Sequence, residues 1–283
     1  MSRSLTTTQE TGNNPLMTTD NIQEKTLSIR ISTDGFCFCE YNPSQIESLR
    51  LFSYTTDNKT SLAANLNNAI SECPLIKKGE RYTVKAIIET LEFTALPAEY
   101  DDRKDYKVYY RYCFPKSDSG NEIIANRLTA SGFTIIFPVD KSVYNILQGL
   151  GDTTYYTPAS IILGYMTRVP FSEDKYILAY IQDNKLMTFS MKEGKPGLTN
   201  IFKSENEQDL VFYLLSIWKE QELSQSSDVL YLCGDKGVEE LSLILKRFIR
   251  HTKRVNPNEL FAPSLLNRTK ELPFDLQALI LCE

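Results

Sequence analysis

Histidine is almost absent from this chain, which contains one, His251, in 283 residues. A histidine-rich metal site is therefore excluded. A catalytic triad would depend on His251, whose lysine and arginine neighbours oppose the imidazolium that such catalysis forms. The six cysteines include no C-x-x-C pair, and Cys37 and Cys39 share one face of a predicted strand. We expect no metal site and no disulfide framework, and reduced thiols suit a cytoplasmic protein.

Long apolar runs and an excess of positive charge are also missing. The apolar stretch over 161–166 is far shorter than the ~20 residues of a membrane-spanning helix. Lysine and arginine total 31 against 36 acidic residues, and a net charge of −5 does not attract nucleic acid or anionic lipid. A basic cluster over 246–254 follows Glu239 and Glu240 in one predicted helix, so the helix dipole explains both charge groups. We expect a cytoplasmic protein that is neither membrane-inserted nor bound to nucleic acid.

The composition is that of a globular protein, with 42% hydrophobic and 24% charged residues. Residues 1–25 are rich in Ser, Thr, Gln and Asn and show no apolar period, which predicts a flexible N-terminal tail. The length favours about two domains. We assign residues 26–170 to a first α/β domain and 171–283 to a second one with a C-terminal segment, connected near residues 169–174.

One order of elements occurs twice, and it is the most informative feature of the sequence. Each copy consists of a strand, a tight turn, two further strands and a helix. The first copy comprises strands 27–31, 36–41 and 49–54 and a helix over 60–72; the second comprises strands 176–181, 186–191 and 198–202 and a helix from Ser204, with Glu207 completing a capping box. Two similar α/β domains are therefore predicted, although generic α/β elements also recur by chance.

Helices and strands alternate after each copy. In the first domain we predict a strand within 81–93, helices over 97–112, 141–150 and 158–167, and strands over 132–138 and 153–156. In the second we predict strands over 229–233 and 252–255, a helix over 237–250 and a packed apolar run over 274–281. The aromatic stretch over 105–114 is interpreted either as a partner-binding surface or as one packed helix face.

A duplicated meander followed by strand–helix alternation resembles the actin-like ATPase fold, in which both domains are ribonuclease H-like. The segments over 94–99 (TALPAE) and 137–144 (FPVDKSVY) resemble the pilus-assembly ATPase branch. The segments over 230–234 (LYLCG) and 272–276 (LPFDL) are similar to an uncharacterised bacterial family, a domain of unknown function with an actin-like fold. The resemblance covers roughly residues 26–283.

The resemblance implies an ATP site between the domains. In active members the first hairpin turn of each domain binds phosphate, Asp residues organise Mg²⁺ and water, and a glycine-rich turn in the second domain holds adenosine. The matching residues here, interpreted as vestigial nucleotide-binding positions, are Asp34, Gly35, Asp183, Asn184, Gly234, Asp235 and Gly237. The first turn is followed at once by Phe36, and the second has no glycine. Minimal hairpins also use their N–H groups in their own ladder, and Asp and Asn simply suit tight turns.

These features favour a non-catalytic actin-like scaffold or adaptor that binds a protein or peptide. The resemblance supports this, because the pilus-assembly relatives are thought to present a groove to a membrane-protein peptide. No catalytic residue and no cofactor are expected. One alternative is a divergent ATP-binding switch or kinase that uses Mg²⁺, Asp34, Asp183 and Gly234. A weaker alternative is a ribonuclease H-like nuclease, for which Asp34 and Glu89 are suitable carboxylates but no third is evident.

Overall fold

The computed structural model describes residues 26–42, 45–102, 105–117, 120–169, 171–182, 184–234, 237–255 and 272–282. The predicted tail over 1–25 and two predicted site residues, Asp183 and Asp235, lie outside these ranges. Within them, no helix is long and apolar enough to cross a membrane.

The first domain is built on a five-stranded sheet. Its elements are β1 (Thr26–Ile31), β2 (Gly35–Asn42), β3 (Gln45–Thr55), α1 (Leu62–Glu72), β4 (Tyr82–Ile88), β5 (Thr94–Pro97), a 3-10 turn (Ala98–Tyr100), α2 (Tyr106–Cys113), β6 (Glu122–Leu128), β7 (Phe133–Val139), α3 (Lys141–Gln148), β8 (Gly151–Tyr156) and α4 (Pro158–Arg168). Strands β1 to β3 form the predicted antiparallel meander, and β4 and β8 extend the sheet in parallel, in the order β3-β2-β1-β4-β8.

The second domain repeats this topology. Its elements are β9 (Lys175–Gln182), β10 (Lys185–Lys192), β11 (Lys195–Lys203), α5 (Glu207–Glu220), β12 (Val229–Gly234), α6 (Val238–Leu245), β13 (His251–Arg254) and α7 (Phe274–Leu281). The strand order is β11-β10-β9-β12-β13, with β12 and β13 parallel to β9. The predicted repeat of one α/β topology in two domains is confirmed.

A small third sheet in the first domain corrects one prediction. The helix expected over 97–112 is confirmed only from Tyr106, and its predicted start is wrong. Thr94–Pro97 is strand β5, and α2 begins at Tyr106, where the Asp105 side chain caps it by accepting a hydrogen bond from Val108 N. Strand β5 and the unpredicted β6 both pair with β7, giving the order β5-β7-β6. These pairings bring together residues about 40 positions apart at Thr94 and Ile136, which local periodicity does not reveal.

The start of α5 corrects a second prediction. The expected capping box of Ser204 and Glu207 is wrong, because Asn206 is the cap and accepts a hydrogen bond from Asp209 N at 3.0 Å. The Ser204 hydroxyl and its backbone N–H instead donate to the Asn184 carbonyl, at 3.1 and 2.7 Å. Ser204 therefore ties the chain before α5 to the turn between β9 and β10.

The C-terminal helix α7 connects the two domains. One hydrophobic core contains residues of the first sheet, of α4 and α7, and of the facing side of the second sheet; a second core lies between the other face of that sheet and helices α5 and α6. The Phe274 ring contacts Tyr165 of α4 and Tyr180 of β9, with centroids 5.5 and 5.6 Å apart. The predicted apolar run over 274–281 is thus packed between the domains.

The segment between α4 and β9 is anchored by Glu173. Its carboxylate accepts hydrogen bonds from the Tyr231 hydroxyl and, at 2.5 Å, from Lys253 Nζ. Burial opposes the charge, but the hydrogen bonds from Lys253, Tyr231 and Ser172 outweigh it and lower the pKa of Glu173 to about 2. The beginning of the second domain is therefore held by an ionised carboxylate.

This anchor predicts a pH-dependent contribution to stability. Because the folded-state pKa of Glu173 lies below its usual value of 4.5, its contribution is complete above that pH and is lost as pH falls toward about 2. We expect Glu173→Gln to lower the free energy of unfolding at pH 7 by about 1–2 kcal/mol, the value of a charged hydrogen bond and an exposed ion pair. Urea unfolding of the unmodified protein and of Glu173→Gln should be measured between pH 7 and pH 3. The difference between their free energies of unfolding should decrease below about pH 4.5. A difference that stays constant over this interval would contradict the assignment.

Candidate functional site

The first hairpin turn, Ser32 to Gly35, is closed by its own hydrogen bonds. Ser32 N donates to the Gly35 carbonyl at 3.1 Å, and Gly35 N donates to the Ser32 hydroxyl at 3.2 Å. Thr56, just after β3, donates its N–H to the Asp34 carbonyl at 3.3 Å and its hydroxyl to the Thr33 carbonyl at 2.6 Å. The Asp34 side chain is exposed. The Gly35 N–H is thus engaged within the turn, as expected for a minimal hairpin.

Close backbone packing accounts for Gly35. A Cβ at that position would lie 2.6 Å from the Tyr54 carbonyl oxygen of the paired strand. In the second turn the Asn184 side chain is exposed, and its carbonyl accepts the two Ser204 hydrogen bonds. The first turn is therefore held against β3 and Thr56, and the second against Ser204, which precedes α5.

The third predicted element lies after β12. Gly234 has φ +138°, and a Cβ there would lie 1.9 Å from the carbonyl oxygen of Ile181, its partner on β9. Gly237 precedes α6 with φ +76°, and no atom lies within 4 Å of the Cβ position. Gly234 is therefore demanded by strand packing, and Gly237 by its left-handed conformation alone.

A chain of buried charges crosses the crevice between the two hairpin turns. It consists of Lys185, Glu89, Arg30 and Asp275, and we call it the crevice ion chain. Lys185 is the first residue of β10, immediately after the second turn, and its Nζ lies 3.1 Å from Glu89 Oε1. Glu89 follows β4, beside the first turn, because its N–H donates to the Ile31 carbonyl at 3.0 Å. The Lys185–Glu89 pair therefore joins the two domains at their first turns.

Arg30 extends the chain toward the C-terminal helix. Its Nε donates to both carboxylate oxygens of Asp275, at 2.9 and 3.2 Å, and its Nη2 lies 3.4 Å from Glu89 Oε1. The four side chains are between 0 and 13% exposed. Two cations and two anions alternate, so the cluster is neutral as a whole. Burial lowers the pKa of Arg30, but Asp275, Tyr180 and Glu89 raise it by more, which keeps the guanidinium charged.

Carboxylates do not gather here as a nuclease would require. Across the described part of the chain, no group of three or more His, Cys, Asp and Glu side chains is placed to hold a metal ion. Glu89 is paired with two cations, and its Oε2 is buried with no hydrogen-bond partner among the described residues. Because Glu89 and Asp275 are already paired with Arg30 and Lys185, the arrangement disfavours a cation site.

The amino-acid sequence over residues 13–252 matches the model of one protein family, which is described as protein of unknown function (DUF3822). The chain belongs to the DUF3822 family. Its structure is similar to that of a protein from Bacteroides thetaiotaomicron VPI-5482 with an actin-like ATPase fold and unknown function. That likeness has a TM-score of 0.77 at 27% sequence identity and covers 92% of this chain and 97% of the other. The predicted relationship to an uncharacterised actin-like family is confirmed.

This DUF3822 chain also shares its fold with PilM as it occurs in the PilM-PilN type IV pilus biogenesis complex. The TM-score is 0.56 at 14% identity, over 92% of this chain and 98% of that one. No functionally curated protein shows significant sequence similarity to the chain. The actin-like architecture is therefore shared with a pilus-assembly protein.

Three of the four residues of the crevice ion chain are not predicted as site residues from the sequence. Arg30, Lys185 and Asp275 lie on β1, β10 and α7, far apart along the chain. Two of them share a signal, a charge inside an apolar stretch: Arg30 stands between Ile29 and Ile31, and Asp275 is the second residue of the run FDLQALIL. A charge in such a position requires a buried partner.

Proposed function

We propose that this DUF3822 protein is a non-catalytic actin-like scaffold that binds a protein or peptide partner and keeps its domains together without a nucleotide. The observation that carries the proposal is the Lys185–Glu89 pair, 3.1 Å long, between the two hairpin turns that hold phosphate in active members of the fold. At this place Glu89 and Asp275 neutralise Lys185 and Arg30, so no bound phosphate is needed to balance these cations.

Mg-ATP is a poor fit to these residues. Arg30 and Lys185, which could neutralise a triphosphate, are already paired with Asp275 and Glu89. A phosphate beside them would lie near a buried carboxylate, and separating a buried ion pair is strongly unfavourable. In the first turn, the hydrogen bonds of Ser32, Gly35 and Thr56 also leave fewer backbone N–H and carbonyl groups free to bind a ligand.

The partner side of the proposal draws on the shared architecture. PilM, which has the same fold, occurs in a complex with a second protein, PilN. A fold of this kind therefore serves as a protein-binding unit in that system. We extend this role, without its specific partner, to the DUF3822 chain.

Calorimetric titration with Mg-ATP and Mg-ADP tests the nucleotide part. We expect no binding in the micromolar range, because the crevice cations are neutralised internally. The variant Asp183→Ala tests the rival ATP-dependent switch, and Asp152→Ala, an exposed aspartate on β8, is its matched control. Saturable micromolar heat that is lost in Asp183→Ala and retained in Asp152→Ala would establish the switch and end the scaffold proposal.

A further inference from the structure

A pocket of about 320 Å³ lies beside helix α2 in the first domain. It is bordered by one face of α2, by the segment that follows this helix, and by the beginning of β6. We call it the α2 pocket. Its volume falls at the lower end of the range of about 300–1,000 Å³ that is typical of ligand sites. The α2 pocket shares no residue with the crevice ion chain, so it is a separate place on the molecule.

The two cations of the α2 pocket have no partner within the described chain. Lys107 and Arg111 lie four positions apart on α2, so both side chains are on one helix face, and both line the pocket. Neither side chain makes a hydrogen bond or an ion pair with any residue that the structure describes. The described part of the lining also includes no Asp or Glu. The positive charge of the pocket is therefore available to an anion from another molecule.

A polar amide and apolar side chains complete the lining. Asn121 is half-buried just before β6, and its side chain has no hydrogen-bond partner among the described residues. Its amide N–H groups can donate to a carboxylate, as the two cations can. Phe114 and Ile123 are half-buried and supply apolar surface, and the Phe114 ring packs against Tyr110 with the centroids 5.1 Å apart. The pocket thus combines donors for an anion with a surface for an apolar group.

The apolar surface continues along α2 beside the pocket. Val108 and Tyr112 directly follow the two cations in sequence, and their side chains are 58% and 88% exposed. Successive residues of a helix are about 100° apart, so these two side chains form the row next to the cations. Tyr110, in contrast, is buried. Within the aromatic stretch over 105–114, Tyr110 is therefore a packed residue, whereas Tyr112 is accessible to a partner.

Charge and apolar surface together favour an acidic polypeptide as the ligand. Nucleic acid is a poor match, because proteins that bind it strongly make many phosphate contacts, often about 6–10, and this pocket has two cations in a chain of net charge −5. An inorganic anion alone would leave the apolar part of the lining without a contact. A carboxylate next to an aromatic or aliphatic side chain matches both parts.

We propose that the α2 pocket binds an acidic segment of a protein partner, with an Asp or Glu carboxylate at its two cations and at Asn121. A neighbouring aromatic or aliphatic residue of the segment packs against Phe114 and Ile123. This assignment rests on the proposed scaffold function and names the place where the partner is held. The carboxylate supplies specificity through charge-assisted hydrogen bonds, and the apolar residue contributes buried area.

Two variants of the α2 pocket test the assignment. Asn121→Asp replaces the amide by a carboxylate of nearly the same size, so it repels an acidic ligand and leaves the sequence of α2 unchanged. Asn67→Asp, at an exposed asparagine of α1, is its matched control. Arg111→Glu reverses one of the cations, and Arg250→Glu, at an exposed arginine before β13, controls for charge reversal elsewhere.

The experiment begins with a random peptide display library selected on the full chain. Enriched peptides are synthesised with a fluorophore, and their affinities are measured by anisotropy. We expect Asp or Glu beside Phe, Tyr, Leu, Ile or Val in the enriched set. Asn121→Asp, Arg111→Glu and a Glu→Gln change in the peptide should each weaken binding about tenfold or more. Asn67→Asp and Arg250→Glu should bind within about twofold of the unmodified protein.

Four results would overturn the assignment. These are no enrichment of any peptide, enriched peptides without acidic residues, unchanged affinity in both Asn121→Asp and Arg111→Glu, and displacement of the peptide at equal concentration by inorganic phosphate or by a single-stranded oligonucleotide. The last result would identify a phosphate or nucleic-acid site.

The nucleotide titration is independent of this experiment. Micromolar Mg-ATP binding by Asn121→Asp would end the nucleotide-free scaffold but leave the peptide site standing. Peptides whose affinity is the same for both pocket variants and the unmodified protein would end the peptide site but leave the nucleotide-free scaffold standing.

Discussion

Replacing Arg30 with methionine should lower the free energy of unfolding by about 3–5 kcal/mol, the range seen when one partner of a buried ion pair is removed. Asp275 is 0% exposed and accepts two hydrogen bonds from Arg30 Nε. Without the guanidinium its charge is buried beside a methionine. Glu89 retains only Lys185 within the crevice ion chain. The loss should be seen in urea unfolding at pH 7, followed by far-UV circular dichroism.

A double variant separates the ion pair from mere packing. Arg30→Met/Asp275→Leu removes both charges and fills the space with aliphatic atoms, and buried pairs replaced in this way often lose little stability. We expect the double variant to recover at least half of the loss in Arg30→Met. Single variants that add up to the double variant would show that the two charges are not coupled.

We expect the crevice ion chain to couple the unfolding of the two domains, because it joins side chains of both. Trp218, the single tryptophan, is buried in α5 of the second domain, whereas Arg30 lies in the first. If Lys185 and Asp275 transmit the effect, the Trp218 fluorescence transition should shift together with the circular dichroism transition. This coupling is what a scaffold without a nucleotide requires, because in that case side chains alone hold the domains in register.

The duplicated sheets could be predicted because their signals are local. A tight turn at Asp34-Gly35, alternating apolar residues on either side and a helix after the third strand are visible within about 50 positions. The same order of strands, turn and helix from Tyr176 onward predicts the second sheet. The small sheet could not be predicted in this way. Thr94–Pro97 is only four residues long, and it is a strand because it pairs with β7.

In the candidate site, too, features set by neighbouring residues could be predicted, whereas contacts between residues far apart in the chain could not. The turns at Asp34 and Asn184 were placed from residues adjacent in sequence. The crevice ion chain joins residues up to 245 positions apart, as between Arg30 and Asp275, so only the folded chain reveals it. The Ser204 capping motif failed for a related reason: its hydroxyl is used by the Asn184 carbonyl, 20 positions away. Tertiary hydrogen bonds replaced local ones at these positions.

Gly234→Ala is expected to lower the free energy of unfolding by about 2–5 kcal/mol. Of this, about 1–2 kcal/mol reflects the left-handed conformation, and about 1–3 kcal/mol the overlap of a Cβ with the Ile181 carbonyl oxygen at 1.9 Å. Gly237→Ala is the matched control, because φ is +76° but nothing lies near its Cβ, so about 1–2 kcal/mol is expected. Trp218 fluorescence in urea reports both variants from within the second domain. If Gly234 were kept for adenosine alone, its alanine variant would lose no more stability than Gly237→Ala, which has only the conformational cost. A loss larger than that of Gly237→Ala, in a protein without nucleotide, would assign the glycine to the contact between β9 and β12.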